Sequence, residues 1–113
     1  MIYAIDFDGT LCTDRFPSIG EEIPARIENV KQLKKMGHKI ILWTSRKNDR
    51  YGRHLDAAVE WCKERGLIFD AVNENLPEIQ SQWGGDTRKI FCDFYIDDKN
   101  LPAVYLDKPF IKL

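Results

Sequence analysis

Cysteine, histidine, net charge and long apolar runs are all scarce in this chain of 113 residues, and each scarcity closes off a kind of chemistry. Three cysteines stand at positions 12, 62 and 92. Their odd number and wide spacing make neither a disulfide framework nor a zinc-ligand pattern. Cys62 falls on an apolar helical stripe and Cys92 opens a strand pattern, so both read as buried thiols, which suits a reducing cytosol. The two histidines, His38 before a strand and His54 near a helix start, read as structural or exposed. Seventeen Lys and Arg against eighteen Asp and Glu leave a net charge of -1. That balance excludes a nucleic-acid binder that relies on overall positive charge, though not a local basic patch. No segment approaches the ~20 apolar residues of a membrane span. Asp6 and Asp8 interrupt the short apolar run at the start, so it does not read as a secretory signal. Repeats and low-complexity tracts are missing too. The expectation is one cytoplasmic domain over residues 1–113.

What is present is an alternation of strand and helix patterns. Ile2 to Phe7 is short, apolar and β-branched and ends at a glycine turn, the mark of a buried strand. Residues 9–21, with Gly9, Pro17 and Gly20, read as a loop. Ile23, Ile27, Val30 and Leu33 recur at helical spacing from about residue 22 to 36, and Gly37 supplies a stop. Lys39 to Trp43 is a second buried strand, followed by a basic run of Arg46, Lys47, Arg50 and Arg53. A second helical stripe of Leu55, Ala58, Val59 and Cys62 stops at Gly66. Leu67 to Val72 reads as a third strand and Cys92 to Ile96 as a fourth, with Ala103 to Leu106 a short fifth. Between them only Pro77 to Trp83 suggests structure, a short helix broken by Gly84 and Gly85. Such alternation predicts an α/β fold: a single Rossmann-like domain with a mainly parallel sheet flanked by helices. Ligands of such sheets bind beyond the carboxyl ends of the strands.

Three polar clusters stand at those ends. Asp6 to Thr10 closes strand one, Thr44-Ser45 closes strand two and Asp97-Asp98 closes strand four. Side chains two apart in a strand share a face, and Gly9 permits the turn that would bring Asp6 and Asp8 into one site. Four carboxylates gathered there repel one another, and a hard divalent cation relieves the repulsion. Carboxylate ligands without His or Cys describe Mg²⁺ held by Asp6, Asp8, Asp97 and Asp98. An Asp carboxylate attacks phosphorus to form an aspartyl phosphate, and Asp6 is placed for that. Asp8 can then protonate the leaving oxygen and later activate water, while its main-chain carbonyl serves as a further ligand. Thr44 can donate to the transferring phosphoryl group. Ser45 and Arg46, next to Thr44, stand where an incoming phosphate ester would be held.

Asp6-Phe7-Asp8-Gly9-Thr10-Leu11 resembles the first motif of the haloacid dehalogenase (HAD) superfamily. Thr44 after Ile-Ile-Leu-Trp resembles its second motif, and Tyr95-Ile96-Asp97-Asp98 its fourth. The motifs follow in family order from residue 6 to 98. The resemblance implies a Rossmann-like sheet, Mg²⁺, Asp6 as nucleophile and Asp8 as general acid/base. It also implies Asp98 as the direct metal ligand, with Asp97 supporting it. The family's third motif, a Lys or Arg well before the acid pair, departs from the pattern, because residues 74–81 contain neither. Lys89 is the preferred substitute, with Arg88, Arg46 and Lys99 as alternatives. A strand rises ~3.3 Å per residue, so Lys89 reaches the site only if the chain folds back.

The spans between motifs leave room for a minimal cap or none. An open site admits large phosphorylated substrates or is covered by a neighbouring subunit of a homo-oligomer. The expected partner is a phosphorylated small molecule, a sugar or nucleotide phosphate, or a larger phosphorylated substrate, with no membrane or nucleic acid indicated. The competing expectations are a HAD-fold binding or regulatory protein with little turnover, and a receiver domain. The latter places its acid pair and its phosphorylated Asp in the opposite order.

Overall fold

The computed structural model describes residues 1–107. Its elements are β1 (Ile2–Ile5), α1 (Pro24–Lys35), β2 (Lys39–Leu42), β3 (Asn48–Asp49), β4 (Gly52–Arg53), α2 (His54–Glu64), β5 (Ala71–Val72), α3 (Pro77–Trp83) and β6 (Phe94–Ile96), then a 3₁₀ turn (Ala103–Asp107). Four strands form one parallel sheet in the order β5-β2-β1-β6, and β3 pairs with β4 in a separate antiparallel hairpin. This is the α/β, Rossmann-like architecture that the alternation of patterns predicts. Among the described residues no helix is long and apolar enough to cross a membrane.

The strands alternate their side chains between two apolar layers. Ile5, Ile40 and Leu42 face a core shared with Ile27 and Val30 of α1 and Ala58 and Cys62 of α2. Ala4, Ile41 and Ala71 face the other side, against Leu76, Ile79 and Ile90. Each fully buried Ile or Leu contributes roughly 1.5–3 kcal/mol by leaving water. α1 starts at Pro24, whose fixed φ suits a first helical turn, and ends with Lys34 and Lys35 against the negative end of the helix dipole. The three cysteines are free, Cys12 and Cys62 being buried. Burial pushes the Cys62 thiol up to about 12, as expected of an unreactive core thiol.

The first strand ends at Ile5 and the fourth begins at Phe94, each two residues short of expectation, and the structure departs further in three places. The third strand shrinks to Ala71–Val72 because the Asp70 carboxylate accepts from the Ile40 N–H at 2.9 Å and interrupts the ladder. The basic run contains the β3–β4 hairpin, whose two-residue strands are too short to show alternation. Ala103 to Leu106 lies in the 3₁₀ turn rather than in a fifth strand. A four-residue apolar run fits either conformation, and Pro102 just before it favours a helical turn. β6 is therefore the last strand on its side of the sheet among the described residues, and Phe94, Tyr95 and Ile96 are exposed.

The stretch after β5 is organised by two asparagines rather than by periodicity. Asn73 has φ 54 and its Oδ1 accepts from the Thr44 N–H at 2.8 Å. Asn75 is fully buried; its Nδ2 donates to Asp86 Oδ1 at 2.6 Å and Thr87 Oγ1 at 3.0 Å, and its Oδ1 accepts from the Phe91 N–H at 2.6 Å. One side chain thus fixes the path from α3 to β6. Asn75→Ala strands the Phe91 N–H and loses a bond to a carboxylate, so unfolding free energy should fall by about 2–3 kcal/mol. A urea midpoint within error of wild type would show that Asn75 does not hold this segment.

Candidate active site

Parallel register brings the strand ends level. Ile5 pairs with Leu42 on one side and Ile96 on the other, so Asp6, Trp43 and Asp97 emerge together. The Asp6 N–H donates to Ile96 O at 2.9 Å and the Trp43 N–H to Ile5 O at 2.8 Å, extending the ladder to the rim. Burial raises the Asp6 carboxyl from 3.8 to about 6, with Asp98, Asp97 and Asp8 adding repulsion against a backbone hydrogen bond from Phe7. Asp98 leans over Gly9. A Cβ on Gly9 would lie 2.8 Å from Asp98 Cγ and closer still to its Oδ2, and Gly9 also has φ +82. Glycine is thus required here both for backbone conformation and for space. Lys99 Nζ donates to Asp98 Oδ2 at 3.0 Å. This bond, more than any other influence, holds the Asp98 carboxyl below its ordinary value. Asp97 Oδ1 accepts from the Lys99 N–H at 2.8 Å, which fixes the turn after β6.

Asp8 is held differently. Arg46 Nε and Nη2 donate to its two oxygens at 2.8 Å each. The remaining guanidinium N–H groups donate to Ser18 O at 2.9 Å, Pro17 O at 3.3 Å and His54 O at 3.4 Å. All five N–H groups of Arg46 therefore have acceptors. The guanidinium lies near the rings of Phe7 and Phe16, at 5.1 and 5.0 Å from their centroids. Arg46 is 2% exposed. The expectation that Arg46 binds substrate is corrected: it is a buried tie between β1's end, residues 17–18 and the start of α2. Its neighbours Lys47, Arg50 and Arg53 are exposed, as a solvated loop requires.

Thr44 Oγ1 accepts from the Arg46 N–H at 3.1 Å, which leaves its own proton free to donate. Ser45 is exposed beside it. Lys89 does not join these groups. Ile90 is buried in the core on the α3 side, and the Asp93 N–H donates to Ile2 O at 2.8 Å, at the opposite end of β1 from Asp6. Before β6 the chain folds back, since the Phe91 N–H and Thr87 bond to Asn75 just past the carboxyl end of β5, and Lys89 does not line the hollows at the strand ends. Lys99 supplies the cation at the site.

Two hollows of about 370 and 460 Å³ meet at Asp6, Ser45 and Lys99. The first is bounded by Trp43, Thr44 and Tyr95; the second by Asp8, Asp14 and Phe16. A larger groove of about 650 Å³ between α1 and the end of β6 is lined by Leu33, Met36 and Ile96 and does not reach Asp6. Phe16 and Asp14, on the loop of residues 9–21, are site residues that the sequence motifs do not reveal. Among the described residues no three His, Cys, Asp or Glu side chains already converge as a metal nest. Arg46 holds the Asp8 carboxylate and Lys99 reaches Asp98, which leaves Asp6 and Asp98 as the converging pair. Their all-oxygen character, and the repulsion that raises Asp6, fit a hard divalent cation.

The fold and this acidic rim define an α/β protein with a carboxylate site at the carboxyl edge of a four-stranded parallel sheet. No known family profile matches the chain, and neither does any curated protein. A solved structure of a conserved protein from Bacteroides thetaiotaomicron is 42% identical, over 97% of this chain and 93% of that one, with a TM-score of 0.76. The chain belongs to the family of that conserved protein.

Asp6 is raised on folding, so its contribution to stability is fully present below 3.8 and is lost as pH rises through about 6. With chelator present, Asp6→Asn should remove that slope and stabilise the protein at pH 7.5 by about 1 kcal/mol, after allowance for solvent screening. Parallel melting curves of the two proteins from pH 4 to 7.5 would refute the assignment. Arg46→Ala should cost about 3–5 kcal/mol, because it leaves Asp8 partly buried without a counter-charge. In a double-mutant cycle Asp8→Asn should recover part of that loss; additive losses would mean that the pair does not act as a unit.

Proposed function

We propose that this chain is a Mg²⁺-dependent phosphohydrolase of the HAD type, acting on phosphate monoesters through an aspartyl phosphate on Asp6. The observation that supports it most directly is the convergence of Asp6, Asp98, Thr44, Ser45 and Lys99 around the hollows at one strand edge. Asp6 is a half-buried carboxylate with poor hydration, which suits a nucleophile. It attacks phosphorus, the phosphorus–oxygen ester bond breaks, and the departing oxygen takes a proton from Asp8. Asp8 then accepts a proton from a water molecule as that water attacks phosphorus. Inorganic phosphate leaves and the Asp6 carboxylate is restored.

Each oxygen of Asp8 that accepts from Arg46 keeps further lone-pair capacity for the proton being moved. Arg46 thus fixes the orientation of the carboxylate that would move the proton. The Lys99 ammonium and the hydroxyls of Thr44 and Ser45 hold the phosphoryl oxygens as charge builds on them. Mg²⁺ held by Asp6, Asp98 and the main-chain carbonyl of Asp8, with Asp97 supporting, would offset the repulsion between carboxylates and phosphate. The unreactive buried thiols agree with a cytoplasmic setting.

The grip of Arg46 on Asp8 also favours a second reading, a HAD-fold binding protein in which Asp8 is structural and turnover is slight. An aryl phosphate with Mg²⁺ separates the two. Hydrolysis by wild type, with Asp6→Asn at least about a thousandfold slower, supports the enzyme reading. Turnover that survives Asp6→Asn removes the nucleophile assignment, and none in the wild type favours the binding protein. Lys99→Ala should lower kcat/KM by about 10²–10³-fold, as loss of an oxyanion donor does, while Lys89→Ala should stay within about threefold. Equal losses at both positions would contradict the placement of Lys99.

A further inference from the structure

The two hollows that meet at Asp6 are not equivalent, and their difference bears on the substrate. A phosphoryl group bound between Asp6, Ser45 and Lys99 can point its leaving group into either one. General acid catalysis requires the leaving oxygen to face Asp8. Asp8 lines only the hollow of about 460 Å³. The leaving group therefore extends toward the other two residues of that hollow, Asp14 and Phe16.

Phe16 is 55% exposed there. It is nonetheless held on two sides: Arg46 lies over the ring, and the His54 ring meets it edge-on with centroids 5.3 Å apart. Pro17 O and Ser18 O, the next two carbonyls, are bonded to the same guanidinium. An aromatic ring fixed by a buried cation and left open to the site is a stacking platform that needs little further ordering on binding. Asp14 adds a second element of selection. Its Oδ1 accepts from the Phe16 N–H at 3.3 Å, and its other oxygen has no protein partner among the described residues. That oxygen can accept from a sugar hydroxyl, and its charge opposes a second phosphate. The volume lies within the range of small-molecule sites.

We propose that the substrate is a nucleoside 5′-monophosphate, its base stacked on Phe16 and its ribose hydroxyls turned to Asp14. The proposal rests on the phosphohydrolase reading for its orientation. The test compares a nucleoside 5′-monophosphate with ribose 5-phosphate, which presents the same ester and lacks the base. Wild type should show a KM at least about tenfold lower for the nucleotide, within the span of base–aromatic stacking. Phe16→Ala should bring the two KM values within about threefold of one another, and Phe16→Tyr should restore the gap. Asp14→Asn should increase turnover of the nucleoside diphosphate relative to the monophosphate.

Equal KM values in wild type, or a gap unchanged in Phe16→Ala, would overturn the proposal. Calorimetric titration of the Asp6→Asn protein with the same two compounds separates the two layers of the argument. Tighter nucleotide binding that depends on Phe16, in a protein whose wild type hydrolyses neither ester, would leave the recognition standing and remove the phosphatase reading. Hydrolysis of both esters with no preference in binding would do the reverse.

Discussion

One buried guanidinium decides how the loops of this protein sit on its sheet. Arg46 follows the end of β2, and its five N–H groups reach the end of β1, the loop of residues 9–21 and the start of α2. Leu11 and Cys12 anchor the start of that loop in the core, whereas Asp14 to Ser18 are exposed and are tied down through Arg46. A buried ion pair adds little net stability, because desolvating the charges costs nearly what their attraction returns. It does penalise every arrangement in which one partner is buried alone. The Asp8–Arg46 pair therefore acts through specificity: a seated Arg46 ties Asp8, the carbonyls of Pro17 and Ser18 and the start of α2 to one another.

The rest of the rim depends on the sheet. Parallel pairing sets Asp6, Trp43 and Asp97 level, and two apolar layers with alternating side chains keep that register. A slip of one residue would send Ile5 to the wrong layer and carry Asp6 away from Asp98. Asn73 reinforces the alignment by receiving the Thr44 N–H where the β2 ladder ends. The strand edge is thus built by backbone geometry, and the side chains that meet there are a consequence of it.

This division explains what could be read from the chain. The sheet, the first two helices and the meeting of Asp6, Thr44 and Asp98 at one edge were legible, because hydrophobic periodicity and strand direction determine them. Arg46 was misread because its partner lies 38 residues away, and nothing in a run of basic residues marks one of them as buried. Lys89 is a separate case: the chain folds back to Asn75 before β6, Ile90 takes a core position, and Lys89 lines neither hollow at the strand ends. Lys99 takes its place through local geometry, held by the turn that Asp97 caps. Residues 84–91 carry no periodic pattern, and the path they follow is set by the hydrogen bonds of a single buried amide, Asn75.

Gly9 and Asp98 compete for one volume, a constraint that neither motif shows alone. The carboxylate of Asp98 occupies the volume where any other residue at position 9 would place its first side-chain carbon. The two positions are sterically coupled. A side chain at position 9 would therefore act on the site at a distance, by turning aside the Asp98 carboxylate and so moving the charge beside Asp6.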